Sequence, residues 1–414
     1  MNWLDAAWIA VFGLLLVAGF YLSLRLHGGV ATPLFFFVGG YCISIALYHL
    51  RLFNFPTVSV VTHLIVILSL AAFTLGSMLG STRTQRPRRS PDLRGLSTFF
   101  YGTAAVSALG WSLPLAIIVA KYGTAHLLTN LWILQYEFQM QFIGYLNLLG
   151  ILVFPTFLIK RHHHGATWFD RLLVLSAILG LILAGIKSYL VYSLFCGVLV
   201  HSAVSPRAVK IRDLTILGVS VLLFFVGYNQ VIDVLGVTEF PESRIPESMS
   251  FLDRPYLYFA GALPAMEQVV SGGMPPKPIP GMVTLQPLWK IAGDLLGIID
   301  PVPQYLPDVA IGPSDFNVYS FAGEVFWDWG VAGVVVCSLL LGWTLTALYR
   351  RACTAGFWLT SLLYAVFGYG AVIAFFLYYY RFNSFFLAGY VVVVGLASCW
   401  AVSRRTCPTP DAAG

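Results

Sequence analysis

The segment LLVLSAILGLILAGIKSYLVYSLFCGVLVHSAV, residues 172–204, is apolar almost throughout. Lys187 is its one Lys, Arg, Asp or Glu residue, and it lies inside the short sequence GIKSY at 185–189. About 20 apolar residues cross the hydrocarbon of a bilayer as a helix. The segment is therefore either one over-long helix or two short helices joined at GIKSY. The choice fixes the side of the membrane on which every later segment lies.

The composition of the whole chain is that of a membrane protein. Of its 414 residues, 58% are hydrophobic and 10% are charged, whereas soluble domains carry about 25% charged residues. The amino terminus lacks a basic leader followed by a small-residue cleavage site, so residues 3–24 are expected to be a retained first span. The six cysteines form no CxxC pattern, and we expect neither a metal nor another cofactor.

Apolar segments recur along the chain and predict an all-α polytopic membrane protein. We expect transmembrane helices 1–8 within residues 1–230, a large loop at 231–320, and helices 9–11 with a tail at 321–414. A loop of this length among short connections is usually functional. The eleven predicted spans are residues 4–24, 33–50, 58–80, 97–120, 140–159, 172–186, 189–205, 214–230, 321–349, 355–379 and 384–402.

The distribution of basic residues chooses between one helix and two at residues 172–204. Lys and Arg collect in the cytoplasmic loops of membrane proteins. With two helices, most of the 24 Lys and Arg residues fall on one side; with one helix, the later sequences SPRAVKIRD, YRR and SRR move to the other side. We therefore predict two helices, an extracytoplasmic amino terminus, a cytoplasmic carboxyl terminus and an extracytoplasmic loop at 231–320.

Several cations are predicted where spans meet the outer surface. Arg51, Lys187 and Arg381 all lie at such positions. Any one of them could simply anchor a helix end or extend its charge toward water. Cations converging from different helix pairs instead suit a diphosphate or a carboxylate. In a membrane the natural diphosphate belongs to a polyprenyl lipid carrier, and cations would stabilise it as a leaving group.

The loop at 231–320 is rich in aromatic residues and proline. Its sequence at 251–270 predicts a short helix on the membrane surface, with Arg254 and Tyr258 on one face. Residues 301–317 contain too much proline and glycine for regular structure. Aromatic rings mixed with carboxylates and amides suit sugars, although aromatics are also the default at a membrane interface.

The sequence NVYSFAGEVFWDWGVAGVVV, residues 317–336, carries two acids into an apolar segment. Glu324 and Asp328 are four residues apart and so share one helix face. The helix dipole accounts for an acid in the first turn, with Ser320 as a cap. It accounts less well for Asp328, which lies two turns in. We predict a buried ion pair or a hydroxyl contact for Asp328, and a carboxylate here could accept the proton of a sugar hydroxyl.

Two conspicuous basic sequences are not expected to bind a cofactor or a polynucleotide. Three consecutive histidines, within KRHHHG, do not converge on one metal ion and read as a solvated cytoplasmic loop. The sequence STRTQRPRRSPDLRG at 81–95 reads as a cytoplasmic topology signal beside anionic lipid rather than as a nucleic-acid site.

Three sequences together resemble the oligosaccharide repeat-unit polymerases, the Wzy-type O-antigen polymerase family. They are LGLILAGIKSYLVYSLFCGVLV at 179–200, RPYLYFAGALPAMEQ at 254–268 and DFNVYSFAGEVFWDWGVAGVVVCSLLLG at 315–342. The family shows an Asn–Tyr element, then an acid and Asp-x-Gly before a span that contains glycine. The positions that look like this pattern are Asn317, Tyr319, Glu324, Asp328, Gly330 and Gly333.

The resemblance implies a GT-C-like glycosyltransferase of the bacterial inner membrane, without a catalytic metal. Such an enzyme moves a growing glycan from one undecaprenyl diphosphate to the next lipid-linked repeat unit, on the periplasmic face. A chain-length regulator and a flippase are the protein partners it implies. The diphosphates are assigned to Arg51, Lys187, Arg254 and Arg381, the acceptor hydroxyl to Glu324 or Asp328 with Arg254 also in a catalytic role, and the sugars to Tyr258, Asn317 and Tyr319.

Two alternatives stay open at this point. An O-antigen ligase of the same superfamily shares the spans, the late loop and the leaving group, but we would expect a histidine in that loop and residues 231–320 contain none. A lipid-linked oligosaccharide flippase would be expected to show two related halves. No internal repeat is evident, so the polymerase is the preferred reading.

Overall fold

The structure is a computed structural model. It describes residues 3–81, 92–124, 142–184, 187–205, 209–233, 251–274, 279–300, 306–312, 315–354 and 357–406.

Helices make up nearly all of the regular structure in these ranges. The first eight are α1 (Trp3–His27), α2 (Pro33–His49), α3 (Val60–Ser81), α4 (Leu96–Tyr122), α5 (Gly150–His164), α6 (Trp168–Leu183), α7 (Lys187–Val204) and α8 (Ile211–Asp233). They are followed by α9 (Asp253–Ala260), α10 (Ala262–Val270), α11 (Gln286–Lys290), α12 (Ser320–Thr354), α13 (Trp358–Val372) and α14 (Asn383–Thr406). Short segments of other helix types are 3₁₀ at Phe142–Leu149 and Tyr379–Arg381 and π at Ile291–Leu295.

Five helical segments are long and apolar enough to cross a membrane, judged by length and composition. They are α1, α3, α4, the segment Ile143–His164 and α12. Shorter apolar helices lie at α2, Ser188–Val204, α13 and Ser384–Ser398. The described part of the chain is therefore a helical protein with membrane-spanning character, as the composition predicts. The number of eleven spans and the large loop outside the membrane stay predictions.

Residues 172–204 form two helices, as predicted, and not one over-long helix. The first, α6, ends at Leu183 with Ala184 as its C-cap, and the second, α7, begins at Lys187. Residues 185 and 186, inside the predicted hinge, lie outside the described residues.

Three predicted segments differ from the structure. The span predicted at 355–379 is wrong at its end, because α13 stops at Val372 and the backbone then turns away. The span predicted at 321–349 is interrupted, because Gly330 adopts φ 63° and ψ −161° inside α12. Finally, a two-stranded antiparallel ladder, β1 (Val309–Ala310) with β2 (Asp315–Phe316), forms where no regular structure was expected.

The chain divides into two compact units. The first comprises Met1–Thr84, Val209–Ala347 and Gly370–Phe382, and the second comprises Gln85–Ala208, Leu348–Tyr369 and Asn383–Gly414. Of the candidate site residues, Lys187 belongs to the second unit and all the others belong to the first.

In the first unit, the start of α1, the end of α2 and the start of α3 meet through buried side chains. His49 Nδ1 lies 2.7 Å from Asp5 Oδ1, and His49 Nε2 lies 3.0 Å from His63 Nε2. His63 Nδ1 donates to the Ser59 carbonyl at 2.8 Å. These contacts fasten the ends of the three helices to one another, and the Arg51 guanidinium lies 3.4 Å from the same Asp5 oxygen.

The same unit fixes the relative direction of α12. Ser69 and Ser338 are hydrogen-bonded at 2.9 Å near the middle of α3, and further along both helices Gly80 packs against Thr346. The contacts advance in the same sense, so the part of α12 after Gly330 runs parallel to α3. That part therefore begins on the side where α1 and α3 begin and α2 ends. Which side of the membrane this is stays a prediction.

Small residues let α3 and α12 approach closely. A Cβ atom added to Gly76 would collide with the backbone carbonyl of Leu339, and one added to Gly342 would collide with that of Phe73. Glycine at these positions brings the two backbones into contact. Membrane helices commonly pack in this way, because lipid is as apolar as their side chains and the hydrophobic effect does not drive them together.

Two short helices of the predicted loop, α9 and α10, are folded against α2 and α3. The Tyr256 hydroxyl donates to the Leu47 carbonyl at 2.7 Å. Glu267 accepts from the amide and hydroxyl of Ser59 at 2.9 and 2.8 Å and from the Thr62 hydroxyl at 2.6 Å. This part of the loop is therefore anchored at the side where α2 ends and α3 begins.

In the second unit, a buried ion pair joins α5 to α6. Lys160 donates to Asp170 Oδ2 at 2.6 Å, and the Tyr101 hydroxyl donates to Oδ1 at 2.9 Å. Thr167 and Asp170 also form a capping box at the start of α6. Burial alone would raise the pKa of the Asp170 carboxyl, but the hydrogen bonds from Lys160, Thr167 and Tyr101 outweigh it and lower the pKa to about 2.

We expect the contribution of Asp170 to stability to disappear in acid. A folded-state pKa of about 2, below the ordinary value of 3.8, stabilises the fold at pH values above the unfolded pKa. That stabilisation is lost as the pH falls through the folded pKa. The measurement is thermal unfolding of the wild type and of Asp170→Asn between pH 7 and pH 2. The gap between their unfolding midpoints should close from about pH 4 downward, and a gap that stays constant would contradict the assignment.

Candidate functional site

The two acids of residues 317–336 lie on a short helix that is separate from the membrane span. Gly330 has a positive φ of 63°, a conformation that glycine adopts without the steric cost of a Cβ atom. It divides α12 into residues 320–329 and residues 331–354. Glu324 and Asp328 are both on the first part and are 0% and 4% exposed.

The first four backbone amides of this short helix all donate hydrogen bonds within the protein. The amides of Ser320 and Phe321 donate to carbonyls in residues 373–378, at 2.9 and 2.7 Å. The amide of Ala322 donates to the Tyr41 hydroxyl at 2.9 Å, and the next amide is capped by the Ser320 hydroxyl. Helix starts bind anions through free amides, so any anion here must be met by side chains instead.

Glu324 and Arg381 form a buried ion pair. Arg381 Nε lies 3.2 Å from Glu324 Oε2, and the two side chains are 2% and 0% exposed. Both carboxylate oxygens, together with Nε and Nη1 of Arg381, lack a hydrogen bond of normal geometry, although the backbone amides of Tyr319 and Tyr378 lie near the carboxylate. Buried charged groups ordinarily have their hydrogen bonds made. The pair therefore keeps hydrogen-bonding capacity for a further polar group.

Arg381 reaches this position because the backbone leaves the helix after Val372. Residues 379–381 form a 3₁₀ turn between two apolar helices, α13 and α14, which agrees with the predicted turn at Arg381. Irregular backbone between membrane helices is tolerated where it is buried in protein or lines a polar cavity. Helices broken in this way are a common source of substrate sites in membrane proteins.

Tyrosine hydroxyls lie close enough to Glu324 to interact with its charge. They belong to Tyr41, Tyr319 and Tyr378. Tyr319 donates its hydroxyl hydrogen to the Pro307 carbonyl, and burial raises its pKa, so it stays a neutral donor. Buried neutral hydroxyls and aromatic rings around a carboxylate can contact a polar ligand that also has apolar faces.

Asp328 holds the loop backbone to the short helix. It accepts hydrogen bonds from the amides of Val283 and Thr284 at 3.1 and 2.6 Å and from the Thr284 hydroxyl at 2.8 Å. Trp329 Nε1 donates to the same Thr284 hydroxyl at 2.8 Å. The predicted hydroxyl contact of Asp328 is confirmed, and its partner is a side chain of the protein. Its catalytic role stays a prediction.

We expect Asp328→Ala to release residues 283–284. The substitution leaves two amides and a hydroxyl without their acceptor, at a cost of about 1–3 kcal/mol. Hydrogen exchange at these amides should accelerate, as measured by mass spectrometry. Asp328→Asn retains one carbonyl oxygen as an acceptor and should show a smaller effect. Equal exchange in the wild type and both variants would contradict this role.

Arg254 and Tyr258 lie on α9 at the edge of the same region. The Arg254 charge acts on the Tyr258 hydroxyl, as their four-residue spacing predicts. The Tyr258 ring centroid is 5.6 Å from that of Phe376, in the segment whose carbonyl accepts from Ser320. Arg254 is half-buried. This arrangement brings α9 next to the segment that carries Arg381.

The other predicted site residues are placed differently. Asn317 is half-buried in the backbone just before α12. Arg51 donates to the Tyr48 hydroxyl at 2.9 Å and pairs with Asp5 at 3.4 Å. Lys187 begins α7 in the second unit, and its side chain lies outside what the structure describes. Their assignment to diphosphate or sugar stays a prediction.

Sequence reasoning missed Tyr41 and Tyr378. Both lie in apolar segments where a tyrosine reads as an interfacial or core residue, and their partners are remote in sequence. The break at Gly330 had one available signal, the glycine that follows Asp328 and Trp329 in WDWG.

The comparisons with known proteins identify no relative: no protein-family model, curated protein or solved structure matches this chain. Within the described ranges, no three His, Cys, Asp or Glu side chains are grouped so as to hold a metal ion. The absence of a cofactor stays an expectation.

Proposed function

We propose that this chain is a membrane-embedded glycosyltransferase that transfers a glycan from a polyprenyl diphosphate. More specifically, we propose that it joins undecaprenyl-diphosphate-linked repeat units into O-antigen or a related surface polysaccharide. The observation that carries the proposal is the buried pair of Glu324 and Arg381, whose hydrogen bonds are incomplete and whose arginine lies on irregular backbone between apolar helices. The motif resemblance of residues 315–342 supports the finer statement.

The pair supplies both charges that such a transfer requires. A hydroxyl oxygen of the acceptor sugar attacks the anomeric carbon of the donor glycan, and the bond from that carbon to the diphosphate oxygen breaks. The hydroxyl proton goes to the Glu324 carboxylate, which acts as general base. The electron pair leaves with the diphosphate, whose developing charge is stabilised by the Arg381 guanidinium.

Arg254 is the second cation that we assign to a diphosphate. It lies on α9, whose Tyr258 contacts the Phe376 ring beside the Arg381 segment. An arginine presents several donors in a plane and matches phosphate oxygens better than a lysine does. Alanine at Arg254 should shorten or abolish the polymer, and unchanged polymer length and amount would remove this assignment.

The test of the reaction class is the ladder of surface polysaccharide from a strain that lacks this gene. Loss of long chains with a single repeat unit still attached to the cell-surface lipid is the expected result. Loss of the single repeat as well would place the defect in export or ligation and favour the flippase or the ligase. Complementation with the wild-type gene must restore the ladder.

A further inference from the structure

A helical segment of the predicted loop exposes a continuous apolar face. It consists of α11 and the following π segment, Ile291–Leu295, and its apolar residues Leu285, Leu288, Ile291 and Leu296 are 38–61% exposed. The first three are three residues apart and so lie on one side of a helix. The amide of Leu296 donates to the carbonyl of Ile291, so one π turn returns Leu296 to the same side. These four residues, with Ile298 at 70% exposure, are called the loop apolar face below.

The opposite side of this segment is held by the protein. Gln286 is 2% exposed and Gly293 is buried. Immediately before the helix, Thr284 is bound by Asp328 and Trp329. The orientation of the apolar face is therefore fixed, and it points away from the residues that hold the segment.

The contact of Thr284 with Asp328 and Trp329 sets the position of the apolar face along the direction of α12. Trp329 is the last residue before the break at Gly330, and the apolar part of α12 begins at the next residue. That part exposes Val336, Leu340 and Trp343 on one side, at the spacing of one helix face. A span that exposes such a face presents it to lipid. The loop apolar face thus begins where the lipid-facing surface of α12 begins.

We propose that the loop apolar face lies in the bilayer interface and acts as a monotopic anchor beside α12. A helix that exposes leucine and isoleucine on one side, with its other side packed on the protein, is suited to lie in the plane of a membrane surface. Trp329 at 45% exposure stands at the boundary where tryptophan is enriched. Lipid is the occupant because the face continues an apolar surface that is already at membrane level. The inference does not depend on the proposed glycosyl transfer.

The test uses the wild-type protein in lipid nanodiscs that contain phosphatidylcholine with a diazirine on its acyl chain. After illumination, adducts are mapped by mass spectrometry. We expect them on residues 285–298 as well as on residues 331–343 of α12. Adducts on 331–343 with none on 285–298 would overturn the proposal.

A variant pair distinguishes lipid contact from other occupants. Leu288→Asn with Ile291→Asn should remove most of the labelling at 285–298 and leave the labelling at 331–343 unchanged, since both side chains are exposed. Val219→Asn, an exposed position on α8, is the control and should leave 285–298 labelled. Labelling of 285–298 in nanodiscs that hold one copy of the chain, with none in nanodiscs that hold two copies, would overturn the proposal in favour of a protein interface.

Discussion

Arg381→Met alone should destabilise the protein strongly, and the further change Glu324→Leu should restore its stability without restoring polymer. The Glu324 side chain is 0% exposed, and removal of the arginine leaves its carboxylate without a partner. Breaking one side of a buried ion pair costs about 3–5 kcal/mol, whereas replacing both sides with apolar residues of similar volume is often neutral or stabilising. The double variant therefore separates folding from function.

The measurements are thermal unfolding in detergent and the polysaccharide ladder of complemented cells. We expect a low unfolding midpoint for Arg381→Met, a midpoint near that of the wild type for the double variant, and long chains from neither. Arg212→Met is the matched control, because Arg212 is 77% exposed and pairs with Asp213 at 3.6 Å, and surface pairs contribute about 0–1 kcal/mol. Normal polymer from the double variant would reduce the pair to a structural element.

The sequence predicts the features that the order of charged and apolar residues determines. Two helices within residues 172–204 are predicted from the distribution of Lys and Arg along the chain, and the structure has two helices there. The position of Arg381 at a turn follows from its being the one charged residue between Arg351 and Arg404. Both features can be predicted without knowledge of contacts between distant segments.

The features that the sequence does not predict depend on contacts between distant segments. The helix α13 ends at Val372 although the apolar sequence continues, because the following carbonyls accept hydrogen bonds from the amides of Ser320 and Phe321. Asp328 is held to Thr284, which lies 44 residues away in sequence. No periodicity within either segment encodes these pairings. The sequence therefore places Glu324 and Arg381 in the same candidate site but does not predict that they contact each other.

The contact between α3 and α12 provides the second large expected effect. Gly76→Ala and Gly342→Ala should each destabilise the first unit, because the added Cβ atom meets the backbone of the facing helix and not a flexible side chain. Overpacking of this kind costs about 1–3 kcal/mol. Gly13→Ala on α1 is the control: its Cβ atom would have no heavy atom within 4 Å, so the better helix propensity of alanine should leave stability equal or up to about 1 kcal/mol higher.

The double variant Gly76→Ala with Gly342→Ala tests whether the two glycines act on one contact. Each substitution forces the same pair of helices apart, so once one has acted the second has less to displace. The combined loss in free energy of unfolding should therefore be smaller than the sum of the single losses by about 0.5 kcal/mol or more. Separation of the helices would also stretch the hydrogen bond of 2.9 Å between Ser69 and Ser338. Since α12 carries Glu324 on its first part, polymer should fall in step with stability. Additive losses would mean that the glycines act at independent sites.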